Sequence, residues 1–409
     1  MNGNCISKRS NRTQPMSMTG RSRRLVPLLG AVLLLILLIL ALVSAAHAAR
    51  AAQAQDTKPF IIGEIATIKS KILGEDRQLF IYTHTAYNED ESRYPIAYVL
   101  DGEWNFRHTS GVIDLLSSRE IIPWMIVVGI PNNDRIKDLS PSPIKDQPRG
   151  GGAADFRRFL REEVFPYVET RYRTEPFRLL VGHSLSGLFT IDALLSEPAL
   201  FNAYLAVSPY LIWDEGRYLD AAVEKQAGLP NRRTFVSVSL GGEPNLQPAF
   251  ERLEKSLAER DAPDLERHFR GLPDCDHETV YLQAVVRGLL DIFHDWRLPA
   301  SAMAVGLDGI RRHYDRLTAK YGYVIRPVYF VVNMIGSDFM ERGQLDEAIR
   351  ILQYAVSLNP CLPYAYDNLG WCFRQKGMTK EAIRHYEKAL ERAPEDFRIR
   401  KALEELKKK

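Results

Sequence analysis

The sequence predicts an α/β fold: a mostly parallel sheet flanked by helices, followed by an all-α array of repeats. Three observations carry this. Short apolar runs alternate with helical segments between residues 96 and 295. A small-residue hexapeptide, Gly182-His183-Ser184-Leu185-Ser186-Gly187, sits where one such run passes into a helix. Beyond residue 328 the sequence matches itself at a spacing of 34 residues.

The chain has 409 residues, 45% hydrophobic and 26% charged, which is ordinary for a globular protein of two or three domains. Its formal charge of +3 is concentrated at the start. Lys8, Arg9, Arg12, Arg21, Arg23 and Arg24 are balanced by no acid within residues 1–48, and the remainder holds 48 basic against 51 acidic residues. No basic patch points to nucleic acid. After Arg24 an unbroken apolar run extends from Leu25 to Val43, then small residues ending Ala46-His47-Ala48. Residues 1–48 therefore read as a cleaved signal peptide or an N-terminal membrane anchor, and either reading exports the rest of the chain. Of four cysteines, Cys5 lies in this leader, and Cys275, Cys361 and Cys372 fit neither a disulfide framework nor a zinc pattern.

Along the chain, two alternating stretches come first, Ile61–Ile68 and Gln78–His84. Separated by Gly74-Glu75-Asp76, they predict an antiparallel hairpin at a sheet edge. Near-continuous apolar runs predict strands covered on both faces: 96–100, 125–130, 177–181, 204–208 and 234–240. Helical segments alternate with them at 105–117, 153–171, 188–197, 248–260 and 278–295. The Pro/Ser-rich stretch 131–152 reads as a long loop past a strand end, where such sheets place ligands. Beyond the sheet, Gly336 aligns with Gly370, Phe339 with Phe373, Ala348 with Ala382, Ala355 with Ala389 and Pro360 with Pro394. That is the tetratricopeptide pattern, with repeats at 329–362 and 363–396 and a capping helix at 397–409. Residues 298–328 form a helical linker, and its segment Gly306–Tyr323 is expected to pack between the repeats and the sheet domain of 58–297.

The hexapeptide carries the chemistry. A strand that turns sharply into a helix through small residues lifts its apex side chain clear of the sheet, which is the G-x-S-x-G elbow of α/β-hydrolases with Ser184 as nucleophile. Ser186 stands where that pattern has glycine. A serine hydroxyl needs a base within hydrogen-bond reach. In this fold the chain order is serine, acid, histidine, so His277, in a loop before the last helix, is the expected base. Glu243, just past the strand ending at Leu240, is the expected acid, with Asp276 and Asp214 as alternatives. Two backbone N–H donors are expected for the oxyanion: Leu185, and one from the Asp101-Gly102-Glu103 turn. Trp104, Phe106 and Arg107 are candidates to line a substrate pocket, although the aromatics could equally be core. His183 reads as structural. Asp274, Asp276 and Glu278 beside His277 lack further partners at metal spacing, so neither metal nor cofactor is expected.

These residues resemble a known family. The runs Tyr98-Val99-Leu100-Asp101-Gly102-Glu103 and Val128-Gly129-Ile130-Pro131-Asn132, then Asp134-Arg135 and Asp138-Leu139-Ser140-Pro141, the elbow, Ser208-Pro209 and Asp276-His277 are similar in kind and order to the putative esterase family. That family includes esterase D and the ferric siderophore esterases. The resemblance covers roughly residues 58–297 and implies carboxylic-ester hydrolysis through an acyl-enzyme, with Ser184 as nucleophile and His277 as base. It does not fix the substrate, for which a siderophore-type lactone and a small acyl ester both stay open. Two other readings remain open at this point. One is an acyltransferase using the same Ser-His pair. The other is a binding or scaffold protein whose repeats hold a protein or peptide partner beside a degenerate hydrolase.

Overall fold

The computed structural model describes residues 34–47, 59–88, 91–225, 228, 232–260 and 262–408. The chain divides into two units, residues 1–61 and 62–409. In the first, residues 34–47 form a helix; the rest of the leader expected over 1–48, including Cys5, lies outside the described residues. Among the described residues no helix is long and apolar enough to cross a membrane.

Among the described residues the second unit holds eight strands: β1 (Glu64–Ser70), β2 (Glu75–Tyr82), β3 (Tyr94–Leu100), β4 (Ile126–Ile130), β5 (Thr174–His183), β6 (Ala203–Val207), β7 (Thr234–Gly241) and β8 (Leu265–Leu272). They form one sheet in the order β1-β2-β4-β3-β5-β6-β7-β8. The pairs β1–β2 and β2–β4 are antiparallel, and every later pair is parallel. The central strands are apolar throughout because both faces are covered. Tyr98 and Leu100 point into one core with Phe156, Phe189 and Leu253. Ala97 and Val99 point into the other with Ile113, Leu289 and Tyr321.

Several elements depart from the sequence reading for physical reasons. The hairpin turn occupies Lys71–Gly74, not Gly74–Asp76, so β2 starts earlier, at Glu75. β5 begins at Thr174 and carries Pro176 although the strand is central; the pairing with β3 shifts register there, and the irregularity accommodates a residue without an N–H. The helix expected at 153–171 contains a π turn at Leu160–Val164, ahead of Pro166, which has no N–H to continue the regular ladder. β8 was not among the expected strands. As an edge strand of sequence LERHFRGL it is mostly half-buried and lacks an apolar run. The loop 131–152 includes a short helix, Arg135–Leu139. It is tied to β2 by fully buried Arg77, which donates to Asp138 at 2.5 Å and to the Pro131 carbonyl at 3.0 Å.

The repeats are four antiparallel helices, Tyr329–Glu341, Leu345–Leu358, Pro363–Gln375 and Thr379–Arg392, closed by Phe397–Lys407. A Cβ at Gly336 would lie 2.8 Å from Leu352, and one at Gly370 would lie 2.8 Å from Tyr386, so each glycine lets its helix pair close up. The linker contributes the helix Leu307–Tyr321, which serves two cores. Leu317 and Tyr321 are buried in the sheet domain, Tyr321 stacked on Phe235 at 5.3 Å. Leu307 and Ile310 are buried with the repeats. The core of the sheet domain thus extends past residue 297, to Ile325.

Candidate active site

Ser184 follows β5 directly and adopts φ 59°, ψ −116°. Such backbone costs about 1–3 kcal/mol and persists only when its surroundings enforce it. Here β6 and the loop after it do so: the Ser184 N–H donates to the Val207 carbonyl at 2.9 Å, and the Ser184 carbonyl accepts from the Tyr210 N–H at 3.0 Å. The turn closes because residue 182 has no side chain; a Cβ there would lie 2.1 Å from the Ser186 carbonyl oxygen.

His277 lies in the loop after β8. The Asp276 carboxylate accepts from the N–H groups of Glu278 (3.1 Å) and Thr279 (2.8 Å), which fixes the turn that presents His277. The imidazole bridges two groups: Nε2 is 2.9 Å from Ser184 Oγ, and Nδ1 is 2.6 Å from Glu243 Oε1. Glu243 comes from the turn after β7, and the neighbouring Gly242 N–H donates to the Cys275 carbonyl at 2.6 Å, joining the two loops. The alternative acids sit elsewhere. Asp276 is engaged in its own turn, and Asp214 pairs with Arg217 at 2.7 Å. The Glu243 side chain is largely buried, and its Oε2 has no hydrogen-bond partner among the described atoms. With the proton on Nδ1, the imidazole donates to Glu243 and leaves Nε2 free to accept the Ser184 proton.

His183 is packed beside this relay, its ring centroid 4.7 Å from that of His277. Burial, and then the nearby His277, holds its pKa below the usual histidine range, so it is a neutral wall of the site at pH 7.

The helix Gly102–Ser118 begins beside the elbow. The N–H groups of Trp104 and Asn105 already bond the Asp101 carbonyl, while those of Gly102 and Glu103 have no acceptor within their helix. Leu185 is likewise first in its helix. The Glu103 side chain is occupied, accepting from the Asn132 N–H (3.2 Å) and Nδ2 (2.9 Å). Trp104 is 59% exposed, with the Arg135 guanidinium 5.6 Å from its ring centre, and Arg107 is exposed on the same helix. Phe106 belongs to the core. It is buried against Phe80 and fills the space over Gly129.

Ser186, the departure from the usual elbow, has a use the sequence did not signal. Its buried hydroxyl accepts from the His183 N–H at 2.7 Å and lies 2.7 Å from Asp101 Oδ2. Asp101 in turn accepts from Arg135 at 2.8 and 2.9 Å and from Asn132 Nδ2 at 2.7 Å. Glycine at 186 could not make this link. A buried, charge-assisted network therefore ties the serine turn to the turn bearing Gly102 and Glu103.

Residues 70–272 match the family model described as putative esterase, and residues 363–396 match that of the tetratricopeptide repeat. Over residues 70–272 the chain is thus similar to the putative esterase family. The matched esterase region stops short of His277. A ferri-bacillibactin esterase of Bacillus subtilis, BesA, is 30% identical over 144 residues, 30% of this chain and 50% of that protein. A siderophore triacetylfusarinine C esterase of Aspergillus fumigatus is 30% identical over 188 residues, 39% of this chain and 64% of that one. The aligned stretches thus span between half and two thirds of these relatives. In fold, the chain is similar to an IroE-like serine hydrolase from Shewanella oneidensis, with TM-score 0.63 and 24% identity over 72% of this chain and 98% of that structure.

Proposed function

We propose that this chain is a serine esterase that cleaves carboxylic esters through an acyl-enzyme, with siderophore-type esters as its substrate class. The observation that carries the reading is the continuous Ser184–His277–Glu243 relay, with separations of 2.9 and 2.6 Å between residues 93 and 34 positions apart. Ser184 Oγ attacks the ester carbonyl as its proton passes to His277 Nε2. The carbonyl oxygen gains charge and is received by the N–H groups of Leu185 and Glu103. When the tetrahedral adduct collapses, the C–O bond to the alcohol breaks and His277 returns the proton to the leaving oxygen. Water, deprotonated by His277, then releases the acid and restores Ser184. Glu243 stabilises the imidazolium in both halves. Trp104 and Arg107, exposed beside the Glu103 donor, contact the substrate's acyl or aryl part.

The substrate class rests on the relatives, which are named for siderophore ester cleavage. The intact relay supports an enzyme over a scaffold with a degenerate hydrolase. Export also belongs to this reading, supported by the basic-then-apolar order of residues 8–43. The test is turnover of a nitrophenyl ester and a ferric trilactone siderophore, with fluorophosphonate labelling mapped by mass spectrometry. Labelling at Ser184 with hydrolysis of both esters is expected. Turnover without labelling at Ser184 would overturn the mechanism. Nitrophenyl turnover without trilactone cleavage would overturn the substrate class alone.

A further inference from the structure

We propose that Glu266, His268 and His294 form a binding site for a zinc-class divalent cation. Glu266 and His268 are two apart on β8 and so share one face of the strand. His294 lies just past the end of the helix Val280–Ile292 that packs against this part of the sheet. Glu266 Oε1 is 3.3 Å from His294 Nδ1 and 3.6 Å from His268 Nε2, and each residue has a ligand atom within 4.8 Å of the other two. Tetrahedral zinc with ligands at about 2.1 Å separates them by about 3.4 Å, so little movement is needed.

A second observation points the same way. His268 Nε2 is buried with no hydrogen-bond partner among the described residues. An orphaned nitrogen inside a protein is costly and calls for a ligand. His294 Nδ1 lies 3.0 Å from the Asp291 carbonyl and would exchange that contact for the metal.

The surrounding charge selects the class of ion. Lys320 Nζ lies 3.3 Å from Glu266 Oε1 and 3.2 Å from Oε2, and Arg233 lies 3.6 Å from Oε2. Asp295, 3.2 Å from Lys320, offsets one of these cations. One carboxylate flanked by two cations is a poor site for calcium or magnesium, which need several anionic oxygens. Two imidazoles bind zinc, cobalt(II) or nickel by directional nitrogen coordination. Three protein ligands leave one position for water.

The site is separate from the relay. From Glu266 to Leu272 the strand runs about 20 Å toward the His277 loop. A bound ion joins edge strand β8 to the end of its neighbouring helix and, through Lys320, to the helix Leu307–Tyr321 that carries the repeats.

The experiment is calorimetric titration of the full chain, stripped with chelator, with zinc chloride and with magnesium chloride. Cobalt(II) absorption reports nitrogen ligation. Wild type and His277→Ala are expected to bind one zinc each, with no magnesium binding. His268→Ala and His294→Ala are expected to lose it. Because His294 is half exposed, His294→Asn gives the same reading should the His268 variant misfold. Absence of zinc binding by wild type overturns the proposal. So does unchanged binding by the His268 and His294 variants, or loss confined to His277→Ala, which would place the ion at the catalytic histidine.

Discussion

The sheet domain and the repeats meet the same requirement, covering apolar faces, over opposite sequence ranges. In the repeats each helix packs on its chain neighbours, and the residues that allow this recur every 34 positions. In the sheet domain the decisive contacts are long-range: Ser186 reaches Asp101 across 85 residues, and His277 reaches Ser184 across 93. The repeats are therefore redundant and local, whereas the site is singular. Damage to one contact of the site has no neighbour to absorb it.

The most direct way to break this contrast is at the serine. Ser184→Ala should lower nitrophenyl-ester kcat by on the order of 10³-fold or more, with the circular dichroism spectrum unchanged. His277→Ala should match it, since the two act as a unit. A rate near wild type would mean that the relay is not the catalytic device. Glu243→Gln should cost about 10²-fold in kcat, because the imidazolium loses its buried counter-charge. An unchanged kcat would assign the carboxylate a packing role.

Ser186→Gly tests the network. It restores the family's usual residue yet leaves the His183 N–H and the Asp101 carboxylate each short a partner, so a stability loss of about 1–3 kcal/mol is expected by urea titration. An accompanying fall in kcat with KM unchanged would show that the network positions the Glu103 donor. Removing the repeats should act mainly on stability. A chain ending at Arg326 should keep small-ester turnover within a few-fold of wild type but unfold at lower temperature, since Leu307 and Ile310 lose their cover. An inactive but folded truncation would make the repeats part of the site.

The smallest expected effect lies within the repeats. His385 is stacked near Phe373 at 5.1 Å, and burial, then Lys388 and Arg384, pushes its pKa down to about 4. The unfolded chain takes up a proton near pH 6.5 that the folded chain refuses until about pH 4. Its contribution is complete above pH 6.5 and is lost as pH falls toward 4. His385→Gln should flatten the pH dependence of repeat melting across that window without touching ester turnover.

Legibility in the sequence divides along the same line. The repeats declare themselves because their contacts are local and periodic. The elbow and the central strands were visible because burial on both faces writes continuous apolar runs. β8 was not, because an edge strand with LERHFRGL has no apolar run to display. The Asp101–Ser186–Arg135 network was invisible for a different reason. Nothing in the spacing of residues 101, 135 and 186 says that three strand ends meet at one point, and Ser186 looked like an imperfection of the motif. Phe106, which the sequence leaves open between pocket and core, is turned into the core by its helix.

The helix Leu307–Tyr321 also bears on the order in which the molecule can be made. Every residue of the relay has been synthesised once His277 is joined to the chain. One face of the sheet still lacks Leu289, Phe293, Leu317, Tyr321 and Ile325, with Phe177 and Phe235 waiting for Tyr321. A nascent chain released or cleaved between those points carries a full set of catalytic side chains on an unsealed core. The sheet core is therefore sealed only after the linker helix Leu307–Tyr321, which lies beyond every relay residue, has docked.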